Sequence, residues 1–146
     1  MAYKLVAFSL QFCYHLTMLI KILILAAGGA IGTVLRYGLS GVVHRFSPGT
    51  FPYGTMAVNL TGCLMIGLLW GVNERLSFNP ALRMFLFIGL LGGFTTFSSF
   101  GLETFNLLRD NELKLGLWNI LLNNFLGISL VVAGFWIART LVNLGK

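Results

Sequence analysis

The stretch Gly92-Gly93-Phe94-Thr95-Thr96-Phe97-Ser98-Ser99-Phe100 decides how this chain is read. It lies at the middle of an otherwise apolar segment running from about Leu82 to Leu108, long enough to cross a bilayer yet polar at its centre, with Gly101 just beyond. Two adjacent glycines followed by hydroxyl residues predict a break in a helix. At bilayer depth a break leaves carbonyls and amides without helical partners, which is tolerated only where they are buried in protein, wetted or occupied by an ion. Two readings stay open on this ground alone. Freed carbonyls suit a hard cation such as sodium, as in the broken helices of transporters; a plain kink would instead have Thr and Ser hydroxyls bonding back to the preceding turn.

Working outward, three more apolar segments flank this one. The first runs from about Leu19 to Val43, entered by Lys21 and closed by His44, Arg45, Ser47 and Pro48. The second follows Phe51-Pro52, with Gly54 and Thr55 near its start, and reaches about Val72 before Asn73, Glu74, Arg75, Asn79 and Pro80. The fourth follows the turn Arg109-Asp110-Asn111-Glu112 and runs from about Leu115 to Leu141. The fold class expected is all-α integral membrane, with four transmembrane helices per subunit and the third broken near its middle. Barrel strands would show short alternating segments instead.

Composition leaves no room for a soluble domain. Of 146 residues, 57% are hydrophobic and only 10% charged, and the mean hydropathy is +0.86, whereas an average soluble domain is about 25% charged. The acids Glu74, Glu103, Asp110 and Glu112 are scattered, which excludes a paired-carboxylate hydrolase, and no nucleophile-base pair or metal-ligand cluster supports an enzyme. The net charge of +6 comes from bases spread singly, so there is no footprint for nucleic acid. Cys13 and Cys63 read as small buried hydrophobes, and His15 and His44 lack a second ligand at metal spacing.

Residues 1–17 are apolar but show no small-x-small cleavage site. They are expected to be an N-terminal extension, either an interfacial helix or the product of a start upstream of Met18, with residues 18–146 forming the four-helix domain.

Four spans place the N-terminus, second loop and C-terminus on one side of the membrane. Lys4, Lys21, Arg75, Arg83, Arg139 and Lys146 fall there, against Arg36, Arg45, Arg109 and Lys114 on the other side. Six against four is almost no bias, so the positive-inside rule sets no firm orientation. A chain inserted both ways round can pair as an antiparallel homodimer with its two-fold axis in the membrane plane. Gly28 with Gly32, and Gly67 with Gly71, have the G-x-x-x-G spacing that lets helix backbones approach in lipid.

Several residues within the spans could carry chemistry. Phe97 and Phe100 form a ring edge beside a hydroxyl edge of Thr96 and Ser99 that continues to Glu103. Ring edges carry the positive part of the aromatic quadrupole and can line an anion's path without holding it by a fixed charge. Asn59, Asn119 and Asn123 offer uncharged amide donors suited to a desolvated anion, or to interhelical hydrogen bonds. Arg36 is an intramembrane charge with no acid nearby in sequence. Glu103 is the one acid well inside a span, and so the one candidate for coupling to protons.

Gly32-Thr33-Val34-Leu35-Arg36-Tyr37, Gly54-Thr55-Met56-Ala57-Val58-Asn59 and, above all, the stretch from Gly92 to Phe100 with Glu103 resemble the Fluc (CrcB) fluoride channels, and the resemblance covers Met18 to the C-terminus. It implies an antiparallel, dual-topology homodimer with two separate fluoride pores in a bacterial inner membrane. Phe97 and Phe100 would line the pore with Asn59, and Thr96, Ser98 and Ser99 would form its polar side. Arg36 would stand at an anion-attracting entrance. Backbone carbonyls of Gly92 and Thr95 from both subunits would hold a structural sodium ion at the dimer interface. Asn119 and Asn123 stand where some members have Tyr and Ser, and would give the pathway different donors.

The function expected is a passive, fluoride-selective channel that lowers cytoplasmic fluoride. A small proton-coupled exporter of organic cations acting through Glu103 is the alternative; a non-transporting membrane subunit held by its G-x-x-x-G faces is a third class.

Overall fold

A computed structural model describes the backbone of residues 2–144 and the side chains of residues 16–144. The chain is all helical. Helix α1 is Ala2–Phe46 and α2 is Tyr53–Leu76. The third span is built from α3 (Pro80–Arg83), a π-helical stretch (Met84–Leu90), α4 (Leu91–Phe94) and α5 (Phe97–Arg109). The fourth joins α6 (Leu113–Leu121), a second π-helical stretch (Leu122–Leu126) and α7 (Gly127–Leu144). Among the described residues four helical segments are long and apolar enough to cross a membrane: Leu16–Phe46, Tyr53–Leu76, Pro80–Arg109 and Leu113–Leu144. The distinction between residues 1–17 and the four-helix domain falls mostly on side chains outside the described residues, as do Lys4, Cys13 and His15.

The span ends follow local chemistry. Asn79 caps the third span by accepting the Leu82 amide at 2.8 Å, with Pro80 in the first helical position, where a missing amide costs nothing. That cap starts the helix two residues ahead of the apolar run that begins at Leu82. Helix α2 extends through polar Asn73, Glu74 and Arg75 to Leu76, where left-handed Ser77 (φ 49°) ends it by returning its amide to the Asn73 carbonyl. Asn111 (φ 62°) turns the chain between the third and fourth spans, a conformation Asn tolerates better than most residues.

The second and third spans have a mean hydropathy of 1.6 each, against 2.2 and 1.9 for the first and fourth, as befits the more buried pair. Both G-x-x-x-G pairs are contact points. A side chain on Gly28 would come 2.8 Å from the Phe85 carbonyl oxygen, and one on Gly32 would collide with that of Leu90, so α1 lies backbone to backbone on the third span. Likewise Gly67 faces the Val131 carbonyl, and a methyl group on Gly71 would stand 2.7 Å from that of Phe135, which seats α2 on α7.

Candidate functional site

Helical structure in the third span stops at Phe94 and resumes at Phe97. Thr95 (φ −81°, ψ 158°) and Thr96 (φ −148°, ψ 113°) are extended between the two pieces. Gly92 and Gly93, to which the sequence reading attached the break, lie upstream and are helical. Gly93 serves contact instead, since a methyl group on it would stand 2.6 Å from the Gly29 carbonyl oxygen of α1. The threonines interrupt the helix because side-chain oxygens take over the local main-chain bonds.

In an unbroken helix the Thr96 amide would return to the Gly92 carbonyl, but it donates to Asn59 Oδ1 at 2.9 Å. The Ser99 amide would return to the Thr95 carbonyl, but it donates to Thr96 Oγ1 at 3.2 Å, which caps α5. Those two substitutions leave the carbonyls of Gly92 and Thr95 without their helical partners. Asn59 Nδ2 meanwhile donates to the Thr96 carbonyl at 3.1 Å, so one amide side chain from α2 grips Thr96 by both its main-chain groups. The Thr95 hydroxyl bonds back to the Leu91 carbonyl at 3.0 Å, the feature a plain kink would have. Freed carbonyls and hydroxyl back-bonding therefore occur side by side.

A cleft of about 400 Å³ opens here between α2, the third span and the start of the fourth. It gathers Asn59, Gly92, Thr95, Thr96, Phe97, Phe100 and Asn123 on one wall system. The rings of Phe97 and Phe100 are 5.5 Å apart and inclined by 50°. Phe100 is 8% exposed, packed into the chain, whereas Phe97 is 81% exposed. The Thr96 hydroxyl donates to Ser99 Oγ at 3.0 Å and lies 3.3 Å from Ser98 Oγ, so the three hydroxyls form one cluster beside the rings.

A second cleft, of about 490 Å³, brings Arg36, Tyr37 and His44 of α1 to Thr55, Ser99 and Glu103, and it shares Thr96 with the first. Arg36 is half-buried there and forms no ion pair among the described residues. Glu103 Oε1 accepts the Thr55 hydroxyl at 2.6 Å, and its Oε2 is buried without a hydrogen-bond partner in the described structure. Two predicted residues stand off the clefts. Ser98 is exposed on α5 and reaches the site only through Thr96. Asn119 is 1% exposed and faces Thr104, to whose hydroxyl it donates at 2.9 Å. Sequence reasoning missed Thr104, His44 and the role of Thr55, and the one signal available was that Thr104 falls four residues after Phe100.

The family described as CrcB-like protein, Camphor Resistance (CrcB), matches residues 23–135, which reach into all four spans and hold every residue of both clefts. The chain belongs to the CrcB family. It is 42% identical over 128 residues to the "Fluoride-specific ion channel FluC" of Parabacteroides distasonis, covering 88% of this chain and all of that one. It is 45% identical over 116 residues to the protein of the same name from Salinibacter ruber, covering 80% and 87%. To that of Desulforapulum autotrophicum it is 43% identical over 120 residues, covering 82% and 96%. The CrcB resemblance read from the three sequence motifs is thereby shown, and the two later motifs meet in space where Asn59 holds Thr96.

Proposed function

We propose that this chain is a fluoride-specific ion channel of a bacterial inner membrane, passive and without enzymatic activity. One observation carries the reading: in a member of a family whose relatives bear that name, the Phe97–Phe100 ring pair and the hydroxyls of Thr96 and Ser99 lie along the walls of two clefts that meet at Thr96. Arg36 draws the anion into the second cleft. The hydroxyls of Thr96 and Ser99 form the polar side of its path, with Ser98 joined to them through Thr96, and the ring edges of Phe97 and Phe100 pass it without a charge that would hold it. Asn59 and Asn123 form the amide wall, with Asn119 behind them. Fluoride that enters a cell as the neutral acid dissociates inside, and the membrane potential drives the anion out through an open selective path.

The active form is an antiparallel, dual-topology homodimer with two pores embedded in lipid. Supporting it are the balanced charge count, the uncovered ring of Phe97, and the open surface at Gly92, where a methyl group would meet nothing nearer than the Phe87 carbonyl oxygen at 4.0 Å. The carbonyls of Gly92 and Thr95 have lost their helical amides and both residues line the cleft, which fits them to hold a sodium ion together with the same pair from a second subunit. Such an ion, held by those carbonyls, would supply a fixed positive charge beside the break.

The experiment is fluoride efflux from potassium-fluoride-loaded liposomes after valinomycin, read with a fluoride electrode. Rapid release from the purified protein, lost in Phe97→Ile and Phe100→Ile, is expected. Release retained in both variants would remove the rings from the pathway.

A further inference from the structure

Asn119 and Asn123 belong to a continuous ladder of hydrogen bonds. Asn59 Nδ2 donates to Asn123 Oδ1 at 3.4 Å, its longest link. Asn123 Nδ2 donates to Asn119 Oδ1 at 2.9 Å and to the Asn119 carbonyl at 3.0 Å. Asn119 Nδ2 donates to Thr104 Oγ1 at 2.9 Å, and Thr104 Oγ1 donates to the Phe100 carbonyl at 2.7 Å. Each amide accepts through its oxygen and donates through its nitrogen, so the dipoles run one way and reinforce one another.

The ends of the ladder matter more than its middle. Asn59 holds Thr96, the residue before Phe97, and Thr104 holds the carbonyl of Phe100. The turn carrying both rings is thus anchored at its entry and exit by a single structure rooted in the fourth span. Asn123 lies in the π-helical stretch Leu122–Leu126, and its amide bonds back to the Asn119 carbonyl one turn earlier. Thr140 of α7 likewise bonds back, to the Trp136 carbonyl at 2.9 Å, but is exposed and outside both the ladder and the two clefts.

We infer that Asn119 and Asn123 are positioning residues that set the orientation of the Phe97–Phe100 turn through Thr104 and Asn59, and that neither donates to the anion. Their functional consequence rests on the fluoride-channel reading, but their structural effect does not.

The test places 4-fluorophenylalanine at Phe97 in the full chain and records 19F NMR in nanodiscs beside fluoride efflux from liposomes. Asn123→Leu and Asn119→Leu should each displace or broaden the ring resonance and slow efflux about tenfold, the worth of one strong interhelical hydrogen bond. Thr140→Val should leave both readouts unchanged. Thr104→Val is nearly isosteric and secures the test if the asparagine variants fail to fold; it too should move the resonance. Efflux lost with an unmoved resonance would make Asn123 a direct donor and overturn the inference. So would an unmoved resonance with normal efflux, or an equal displacement in Thr140→Val. If the unsubstituted channel released no fluoride, the channel reading would fail while the resonance still reported on the ladder.

Discussion

Asn59 holds both main-chain groups of Thr96, itself buried, from the wall of the first cleft. Replacing it with Leu would leave a buried N–H and C=O unmatched, at roughly 1–3 kcal/mol each. Asn59→Leu is therefore expected to lower the thermal midpoint in detergent and abolish fluoride efflux, and Gln, one methylene longer, should restore neither. Scanning fluorimetry beside the efflux assay checks both. Glu103 separates the channel from the exporter: Glu103→Gln keeps an acceptor for the Thr55 hydroxyl, so efflux should persist with no dependence on a proton gradient. At this scale the sequence was legible for residues whose chemistry is odd for a membrane, such as Asn59, Arg36 and the paired phenylalanines. Thr104 was not, because a threonine on an apolar helix looks alike whether it bonds only to its own turn or also to another span.

The third span shows what an element's own sequence can and cannot specify. Gly92 and Gly93 were read together as the place of the break, yet both are helical and they differ in surroundings. Gly93→Ala would drive a methyl group to 2.6 Å from the Gly29 carbonyl oxygen, with backbone on both sides and little room to relax. A destabilisation of about 1–3 kcal/mol is expected, visible as early unfolding on heating. Gly92→Ala finds space within the subunit, so the fold should survive. Cross-linking in membranes should instead show fewer dimers, because the methyl group would occupy the surface proposed to meet the partner. Which glycine abuts a neighbouring helix depends on packing that no local pattern encodes. The π-helical stretches escaped for a related reason: one extra residue in a turn leaves hydropathy unchanged while rotating everything after it.

For the whole molecule, four spans followed from length and hydropathy alone, since long continuous apolar segments, unlike the short alternating strands of a barrel, cross a bilayer as helices. The pairing of α1 with the third span and of α2 with α7 could be anticipated only as far as the G-x-x-x-G spacing went; the partner of each face could not. The balanced charge count predicts that a C-terminal fusion reports from both sides of the membrane, with alkaline phosphatase and green fluorescent protein fusions both active in the same cells. Adding two lysines to the loop 47–52 should silence one of the reporters and reduce efflux, because the proposed antiparallel pairing needs both orientations. The most direct test of the central claim is a planar-bilayer recording of the purified protein with opposed fluoride and chloride gradients. Current reversing near the fluoride equilibrium potential is the predicted result. Reversal at the chloride potential, or no current from a well-folded protein, would contradict it.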